Sequence, residues 1–287
     1  VGSEIQARYA RSHDKPIIAV INQLDSEKAS WETSLDSIRA ASQVTPVVVQ
    51  YPVNPGPDFN AFIDVLLMKM YKFKGDTGIR EELDIPAEEM ERATELNRIL
   101  TEAAAENDEA LMELYFEKGV LTQDELRSGL KLGLAKRDLI PVFCASGKRD
   151  IGAKRLMEFI INVAPGPLKA PNFVTVDGRE IEPDSNGPTA LFVFKTTVEP
   201  HLGEVTYFRV VSGKVTEGME LVNSKTGNKE KISQLFAVAG KNRVKVTEME
   251  AGDIGCTVKL KGTKTNQTLC SPGADIRIEP IRFPEPR

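Results

Sequence analysis

The sequence predicts two domains of different class, an α/β domain with a helical insertion followed by an all-β barrel. Continuous apolar runs alternate with amphipathic segments in the first half of the chain. A stiff Ala-Pro-Gly-Pro segment follows at residues 164–167, and short alternating segments with glycine at the turns come after it. The length of 287 residues suits about two domains. We place them at residues 1–170 and 171–287.

The first domain is predicted to be a doubly wound parallel sheet. Residues 16–21 and 139–144 are continuous apolar runs, typical of strands covered on both faces, and residues 47–49 are a third candidate. A capping box at Ser3 and Gln6 predicts a short helix at the start. The apolar spacing of Leu156, Phe159 and Val163 predicts a closing helix.

An insertion is expected between these strands, at about residues 50–135, and we expect a helical subdomain there. Pro86 suits the first turn of one helix and Gly119 the end of a second, while Thr122 and Glu125 form a capping box for a third. Residues 76–125 carry 16 acidic and 4 basic residues, against a net charge of -5 for the whole chain. This local charge predicts a docking surface for a basic partner.

The second domain is predicted to be a closed β-barrel. Residues 226–228, Thr-Gly-Asn, suit a hairpin turn. The candidate strands are residues 190–194, 205–211, 219–222, 231–235 and 255–260.

Composition excludes several classes of protein. Hydrophobic residues make up 41% and charged residues 28%, as in ordinary globular proteins, and no apolar run approaches the roughly 20 residues of a membrane-spanning helix. The N-terminus has no basic stretch followed by an apolar core, so no signal peptide is visible. Cys144, Cys256 and Cys270 have neither metal nor disulfide spacing. We therefore expect a cytoplasmic protein that holds no metal and binds no membrane.

Two motifs lie at the predicted carboxyl ends of strands, where open α/β sheets bind ligands. The first is Asn22-Gln23-Leu24-Asp25. A carboxylate there can accept two hydrogen bonds, from the ring N–H and the amino group of guanine, which adenine cannot offer. The Asn22 amide can bond the base edge or a neighbouring loop. The same residues also suit a plain turn in which Asp25 caps the next helix.

The second motif is Ser146-Gly147-Lys148, which follows the apolar run at 139–144. The backbone N–H groups of Ser146 and Gly147 can donate to the guanine carbonyl oxygen. The alternative is a helix N-cap followed by a glycine turn. Together the motifs predict a guanine site. Its members are Asn22, Gln23, Asp25, Ser146, Gly147 and Lys148.

With these motifs in this order, the chain resembles the elongation factor G family of translational GTPases over essentially its whole length. Residues 22–25 resemble the family's Asn-Lys-x-Asp motif, and residues 146–148 lie where the family has Ser-Ala-Leu. The family's insertion is matched by residues 62–66, 85–86 and 108–112, and its second-domain pattern by residues 208–213 and Gly218.

The resemblance implies a ribosome-dependent GTPase that promotes translocation in the cytoplasm. GTP or GDP with Mg²⁺ would be its ligands, and hydrolysis would be phosphoryl transfer to water. The implied partners are ribosomal RNA, which the second domain would contact, and the ribosomal stalk protein, which the insertion would contact. No DNA or membrane is expected, and we expect a monomer.

The family's phosphate loop is missing, because no Gly-x-x-x-x-Gly-Lys-Ser/Thr motif occurs. The resemblance places Val1 just past the family's Asp-x-x-Gly switch motif and Arg287 before its last three domains. We therefore expect a fragment that holds no catalytic residue, is inactive alone and binds no nucleotide tightly. Gln23 replaces a family lysine, and Gly147 an alanine, which suggests a diverged paralogue. A hydrolysis-deficient ribosome-binding paralogue and a ribosomal protection protein stay open as alternatives.

Other conspicuous residues have simpler interpretations. Trp31 lies on an apolar stripe and is expected in the core. His13 and His201 are expected at the surface. A basic cluster suits either a solvated barrel face or contact with RNA phosphates. Its members are Lys225, Lys229, Lys231, Lys241, Arg243 and Lys245.

Overall fold

The computed structural model describes residues 2–200, 203–240 and 242–283. The chain divides into two compact units, Val1–Pro165 and Gly166–Arg287. His201 and Lys241, named above, lie outside the described residues.

The first unit contains six helices and seven strands among its described residues. In chain order they are α1 (Gly2–Ser12), β1 (Ala19–Ile21), α2 (Trp31–Ala41), β2 (Thr45–Val48), β3 (Gln50–Pro52), β4 (Ala61–Asp64), β5 (Lys69–Phe73), β6 (Arg80–Leu83), α3 (Ala87–Ala105), α4 (Glu109–Lys118), α5 (Gln123–Lys136), β7 (Leu139–Cys144) and α6 (Ala153–Val163).

A parallel sheet of order β1-β7-β2 forms the centre of this unit and confirms the predicted α/β class. Every residue of β7 is buried, as its continuous apolar sequence predicts. Ile21 pairs with Cys144, so β1 and β7 end side by side. Trp31 is 4% exposed and packs in the same core, while His13 is exposed.

The insertion is only partly helical, which corrects the sequence expectation. Residues 50–83 form a four-stranded antiparallel sheet of order β3-β4-β5-β6. Its strands form because Phe62, Tyr71 and Phe73 pack their rings together, with centroids of Phe62 and Tyr71 5.7 Å apart. The sheet continues directly from the parallel one, since the Val49 N–H donates to the Val142 carbonyl at 2.9 Å.

The helix ends follow the sequence signals with two corrections. Thr122 and Glu125 form the expected capping box, and Gly119 ends α4 with a left-handed φ of 72°. Pro86, however, is the N-cap of α3 with extended backbone rather than a residue of its first turn. Ser3 lies inside α1, which already begins at Gly2, so it does not cap that helix.

A buried ion pair connects α6 to the antiparallel sheet. Asp64 is fully buried, and its Oδ2 accepts hydrogen bonds from Arg155 Nε at 3.1 Å and Nη2 at 2.9 Å. Gln50 Nε2 donates to the same oxygen at 3.1 Å, and the Leu67 N–H donates to Oδ1 at 3.0 Å. These hydrogen bonds replace those that water would make to the Asp64 carboxylate, so its burial in the core is tolerated.

The second unit is built of short strands. They are β8 (Phe173–Val174), β9 (Glu180–Ile181), β10 (Ala190–Glu199), β11 (Gly203–Ser212), β12 (Lys214–Thr216), β13 (Glu220–Asn223), β14 (Lys229–Lys231), β15 (Phe236–Ala239), β16 (Asn242–Lys245), β17 (Glu248–Glu250), β18 (Ile254–Val258) and β19 (Gln267–Cys270).

Eight of these strands form one antiparallel, barrel-like sheet of order β14-β13-β19-β10-β11-β18-β15-β16. Within the described residues, the end strands β14 and β16 do not pair with each other. Leu191, Phe208 and Val210 lie in its core. The predicted hairpin at residues 226–228 is confirmed, because β13 pairs with β14 and Gly227 has a φ of 73°.

The predicted strand at residues 231–235 is wrong except for its first residue. β14 ends at Lys231, and the chain leaves the sheet there because Ile232 and Leu235 are both buried in the barrel core. The next strand, β15, begins only at Phe236.

The buried ion pair yields the first prediction. Arg155→Met should lower the free energy of unfolding by about 3–5 kcal/mol, because it leaves the Asp64 carboxylate buried without its charge partner. Urea denaturation followed by circular dichroism measures the change. The control is Arg98→Met on α3, where the side chain is 48% exposed, and its effect should stay below about 1 kcal/mol. Equal losses in the two variants would contradict the prediction.

Candidate functional site

The two sequence motifs lie side by side at the carboxyl edge of the parallel sheet. Residues 22–25 follow β1 and residues 145–148 follow β7, and pairing of Ile21 with Cys144 brings both loops to the same edge. The backbone extends this pairing, since the Ala145 N–H donates to the Ile21 carbonyl at 2.9 Å. The Leu24 N–H donates in turn to the Ala145 carbonyl at 3.3 Å.

Asp25 is held by a hydrogen bond from the other loop. Ser146 is fully buried, and its Oγ donates to Asp25 Oδ1 at 2.7 Å. This bond lowers the pKa of the Asp25 carboxyl, partial burial opposes the shift, and the charges of Lys148 and Arg149 assist it. The partly exposed carboxylate is therefore ionised at neutral pH and fixed in orientation.

Neither Asp25 nor Ser146 caps a helix, so the alternative interpretation of each motif as a helix cap is wrong. The N-cap of α2 is Ser30, whose Oγ accepts from the Thr33 N–H at 3.3 Å. The N-cap of α6 is Gly152. The Asp25 and Ser146 side chains therefore bond to each other instead of capping a helix.

Asn22 joins the two loops through a hydrogen bond that occupies one of the backbone N–H groups expected to bind guanine. Its Oδ1 accepts from the Gly147 N–H at 2.9 Å. The Ser146 N–H donates to the Ile151 carbonyl at 3.0 Å, because residues 146 and 151 form an antiparallel bridge. Both N–H groups expected to reach a guanine carbonyl therefore bond within the protein, and a ligand would have to exchange one of these bonds.

Four members of the site are exposed, namely Asn22, Gln23, Gly147 and Lys148, whereas Asp25 is half-buried and Ser146 is buried. Gln23 adopts a left-handed φ of 59°, which is uncommon for a residue other than glycine. The turn is closed by the Ser26 N–H, which donates to the Gln23 carbonyl at 3.0 Å. The Lys148 ammonium is close enough to Asp25 to lower its pKa.

Sequence reasoning missed Arg149, the residue that follows the second motif. Its Nε donates to Asp76 Oδ1 at 2.7 Å, and its Nη1 donates to the carbonyls of Pro57 and Phe59 at 3.1 and 3.0 Å. All three partners belong to the insertion, so no local pattern around Arg149 indicates them.

An open cleft of about 1170 Å³ lies beside the site, between α1, β1 and α2. Its walls are largely apolar, with Ala7, Ile18 and Ile38 among them, and it reaches Asn22. In the part of the chain that the structure describes, β1 pairs only with β7, so the other edge of β1 faces this cleft. No sequence pattern indicated the cleft.

Residues 2–200, 203–240 and 242–283 contain neither a metal-binding cluster nor a membrane-spanning helix. No group of three or more histidine, cysteine or acidic side chains in these ranges is arranged to hold a metal ion. None of the helices in them has the length and apolar character needed to cross a membrane.

Comparison with known proteins gives a family match in the second unit. Residues 188–272 match the family described as elongation factor G domain 2. A crystal structure of a protein from Thermus thermophilus superposes on the whole chain with a TM-score of 0.82 and 26% sequence identity. The match covers 100% of this chain and 41% of that one, so the chain spans about two fifths of the length of the solved protein.

The domain 2 match and the structural similarity together support a translation elongation factor-type protein. The second unit contains an elongation factor G domain 2, and the resemblance of the chain to the elongation factor G family is confirmed.

The Ser146–Asp25 hydrogen bond yields the second prediction. Ser146→Ala should raise the pKa of Asp25 toward the ordinary value of about 3.9, because the largest cause of its lowering is removed. A lowered pKa in the folded state stabilises the fold above the ordinary pKa, and this stability is lost as pH falls through the lowered value. The variant should lose that dependence.

Carbon-13 NMR titration of the Asp25 carboxyl measures this shift. The control is Ser37→Ala on α2, whose hydroxyl donates only to the Thr33 carbonyl, and it should leave the titration of Asp25 unchanged. An unchanged pKa in Ser146→Ala would contradict the assigned cause.

Proposed function

We propose that this chain supplies the guanine-recognising part of an elongation factor G-type GTPase that binds GTP or GDP and acts on the ribosome in the cytoplasm. The observation that carries the proposal is the Asp25 carboxylate, ionised and fixed by Ser146 at the carboxyl edge of the sheet. Asp25 lies at the carboxyl edge of the parallel sheet, which is where open α/β sheets generally bind ligands.

Asp25 suits guanine because the ring N–H and exocyclic amino group of that base are adjacent donors. Two charge-assisted hydrogen bonds to the carboxylate contribute about 1.5–3 kcal/mol each. Adenine presents a ring nitrogen lone pair at the equivalent position, so it would leave a carboxylate oxygen facing an acceptor. Asn22 keeps the Ser146-Gly147 loop in place, and the Lys148 stem can cover the base.

Hydrolysis is not assigned to any residue of this chain. The sequence has no phosphate loop, and no acidic cluster in the described ranges is arranged for Mg²⁺. The residues present therefore fit the base of GTP but not its Mg²⁺-bound phosphates. Gln23 in place of lysine favours one variant of the proposal, a ribosome-binding paralogue with weak nucleotide affinity, and the domain 2 match supports elongation factor G over a ribosomal protection protein.

Ribosomal RNA is the proposed partner of the second unit. Two members of the basic cluster form ion pairs within the second unit: Arg243 pairs with Glu199, and Lys245 Nζ lies 2.9 Å from Glu217. The three lysines of the β13–β14 hairpin have no ion pair with any residue that the structure describes, so their charge is available to phosphates. These are Lys225, Lys229 and Lys231.

The ribosomal stalk protein is the proposed partner of the insertion. Helices α3 and α4 carry much of the acidic charge, and α4 also presents Phe116, which is 78% exposed. Glu113 and Glu117 lie next to it on the exposed surface. An exposed aromatic side chain on a helix with exposed carboxylates suits a partner that offers both an apolar contact and basic residues.

Nucleotide binding gives the third prediction. The chain alone should bind GDP with a dissociation constant of about 1 mM or weaker, because two hydrogen bonds must offset an association cost of roughly 4–15 kcal/mol. Asp25→Asn should abolish GDP binding and favour xanthosine diphosphate, since the amide can donate to the carbonyl that replaces the guanine amino group. Calorimetry or NMR titration measures both.

ADP and the Ser37→Ala variant are the controls for these titrations. ADP should not compete with GDP, and Ser37→Ala should bind GDP as the unaltered chain does. Micromolar GDP binding, or GDP binding that Asp25→Asn leaves unchanged, would contradict the proposed recognition.

Partner docking gives the fourth prediction. The globular domain of the stalk protein should shift NMR signals of residues 88–117 at low salt and lose this effect near 1 M salt, where the screening length is about 3 Å. Phe116→Ser should weaken the complex, whereas Val198→Ser, at a valine 84% exposed in the second unit, should not. Unchanged signals over residues 88–117 would remove this partner.

A further inference from the structure

Arg149 makes three hydrogen bonds across the first unit, all of them to the insertion. Its Nε lies 2.7 Å from Asp76 Oδ1, and its Nη1 contacts the carbonyl oxygens of Pro57 and Phe59. The side chain is only 23% exposed, and its pKa is raised chiefly by the hydrogen bond to Asp76 and further by the charges of Asp76, Asp25 and Asp58. Such a guanidinium fixes two separate loops at once, because its donors have a rigid planar arrangement.

The backbone of the same residue contacts the serine that holds Asp25. The Arg149 N–H donates to Ser146 Oγ at 3.3 Å, and this oxygen in turn donates to Asp25 Oδ1 at 2.7 Å. Ser146 thus accepts from one side and donates to the other, which orients its single hydroxyl proton toward the carboxylate. A series of contacts therefore runs from Asp76 to the Arg149 side chain, through the covalent frame of Arg149 to its N–H, and on through Ser146 to Asp25.

Two further contacts join the same parts of the molecule. The Gly56 N–H donates to the Leu24 carbonyl at 2.7 Å, immediately before Asp25. Gly78, with a φ of 68°, lies so close to Asp150 that a Cβ there would come within 2.3 Å of its Oδ2. The turns at residues 54–59 and 74–79 therefore contact both loops of the candidate site.

We propose that Arg149 is a positioning residue that couples the antiparallel sheet of the insertion to Asp25. Its meaning for guanine recognition rests on the proposed function, but the coupling itself is a property of the chain without nucleotide. Displacement of the Asp76 turn withdraws the anchor of Arg149, and the Ser146–Asp25 pair then loses its fixed geometry. A partner that moves this turn would thereby weaken base binding, since coupling between two sites is reciprocal.

Charge alone is the competing explanation, because Arg149 also lowers the pKa of Asp25 through space. Lysine at this position keeps the charge and loses the planar fork, so Arg149→Lys separates the two effects. Asp76→Asn tests the far end of the series without changing either loop of the site. The matched control is Asp84→Asn, which removes an exposed pair with Lys69 beyond the same sheet.

The experiment records backbone amide signals of residues 22–25 and 146–148, and the carboxyl titration of Asp25, in the nucleotide-free chain. Arg149→Ala and Arg149→Lys should both shift these amide signals and raise the pKa of Asp25, and Asp76→Asn should do so to a smaller extent. Asp84→Asn should leave both readouts unchanged. GDP binding should weaken at least threefold in Arg149→Ala.

Two results would overturn the coupling. Wild-type signals in Arg149→Lys would show that charge alone explains the effect of Arg149. Wild-type signals in Asp76→Asn would show that the insertion does not influence the site. GDP binding that Asp25→Asn leaves unchanged would contradict only the proposed function, because the amide and carboxyl readouts need no nucleotide.

Discussion

Parallel pairing of β1 with β7 determines where every residue of the candidate site lies. Since Ile21 and Cys144 are register partners, the residues that follow them leave the sheet together. A hydroxyl on one loop then meets a carboxylate on the other, although 121 positions separate them in the chain. β7 is apolar and buried over its full length, so it forms the central strand of this sheet between β1 and β2.

Two of the contacts that join the insertion to this framework differ in character. At α6 the connection is the buried pair of Asp64 and Arg155, which is intolerant of losing one partner. At the site the connection is Arg149, which is more exposed and bonds largely to backbone carbonyls and to one surface carboxylate. The first contact fixes the sheet of the insertion to the core, whereas the second joins the turns of the insertion to the loops of the site.

Local patterns predicted the parts of the structure that depend on local physics. The apolar strand at residues 139–144, the capping box at Thr122 and the hairpin at Gly227 each need only a few neighbouring residues. The sheet of residues 50–83 escaped prediction because its strands are three to five residues long and β6 has no buried residue. Arg149 could not be found from sequence, since its partners lie 73 to 92 positions away. The Asp25–Ser146 contact was predictable only as proximity at a strand edge, and the internal bond of the Gly147 N–H was not.

The three cysteines have a consequence for measuring how each unit opens. All are free thiols buried in strands, Cys144 in the first unit and Cys256 and Cys270 in the second. Burial raises the pKa of Cys144 well above its usual range and that of Cys256 as well, so neither forms the reactive thiolate readily in the folded chain. Modification by a thiol reagent therefore requires local or global unfolding. Mass spectrometry of peptides containing Cys144 and Cys256 would report the opening of the two units separately, in one sample and without added labels.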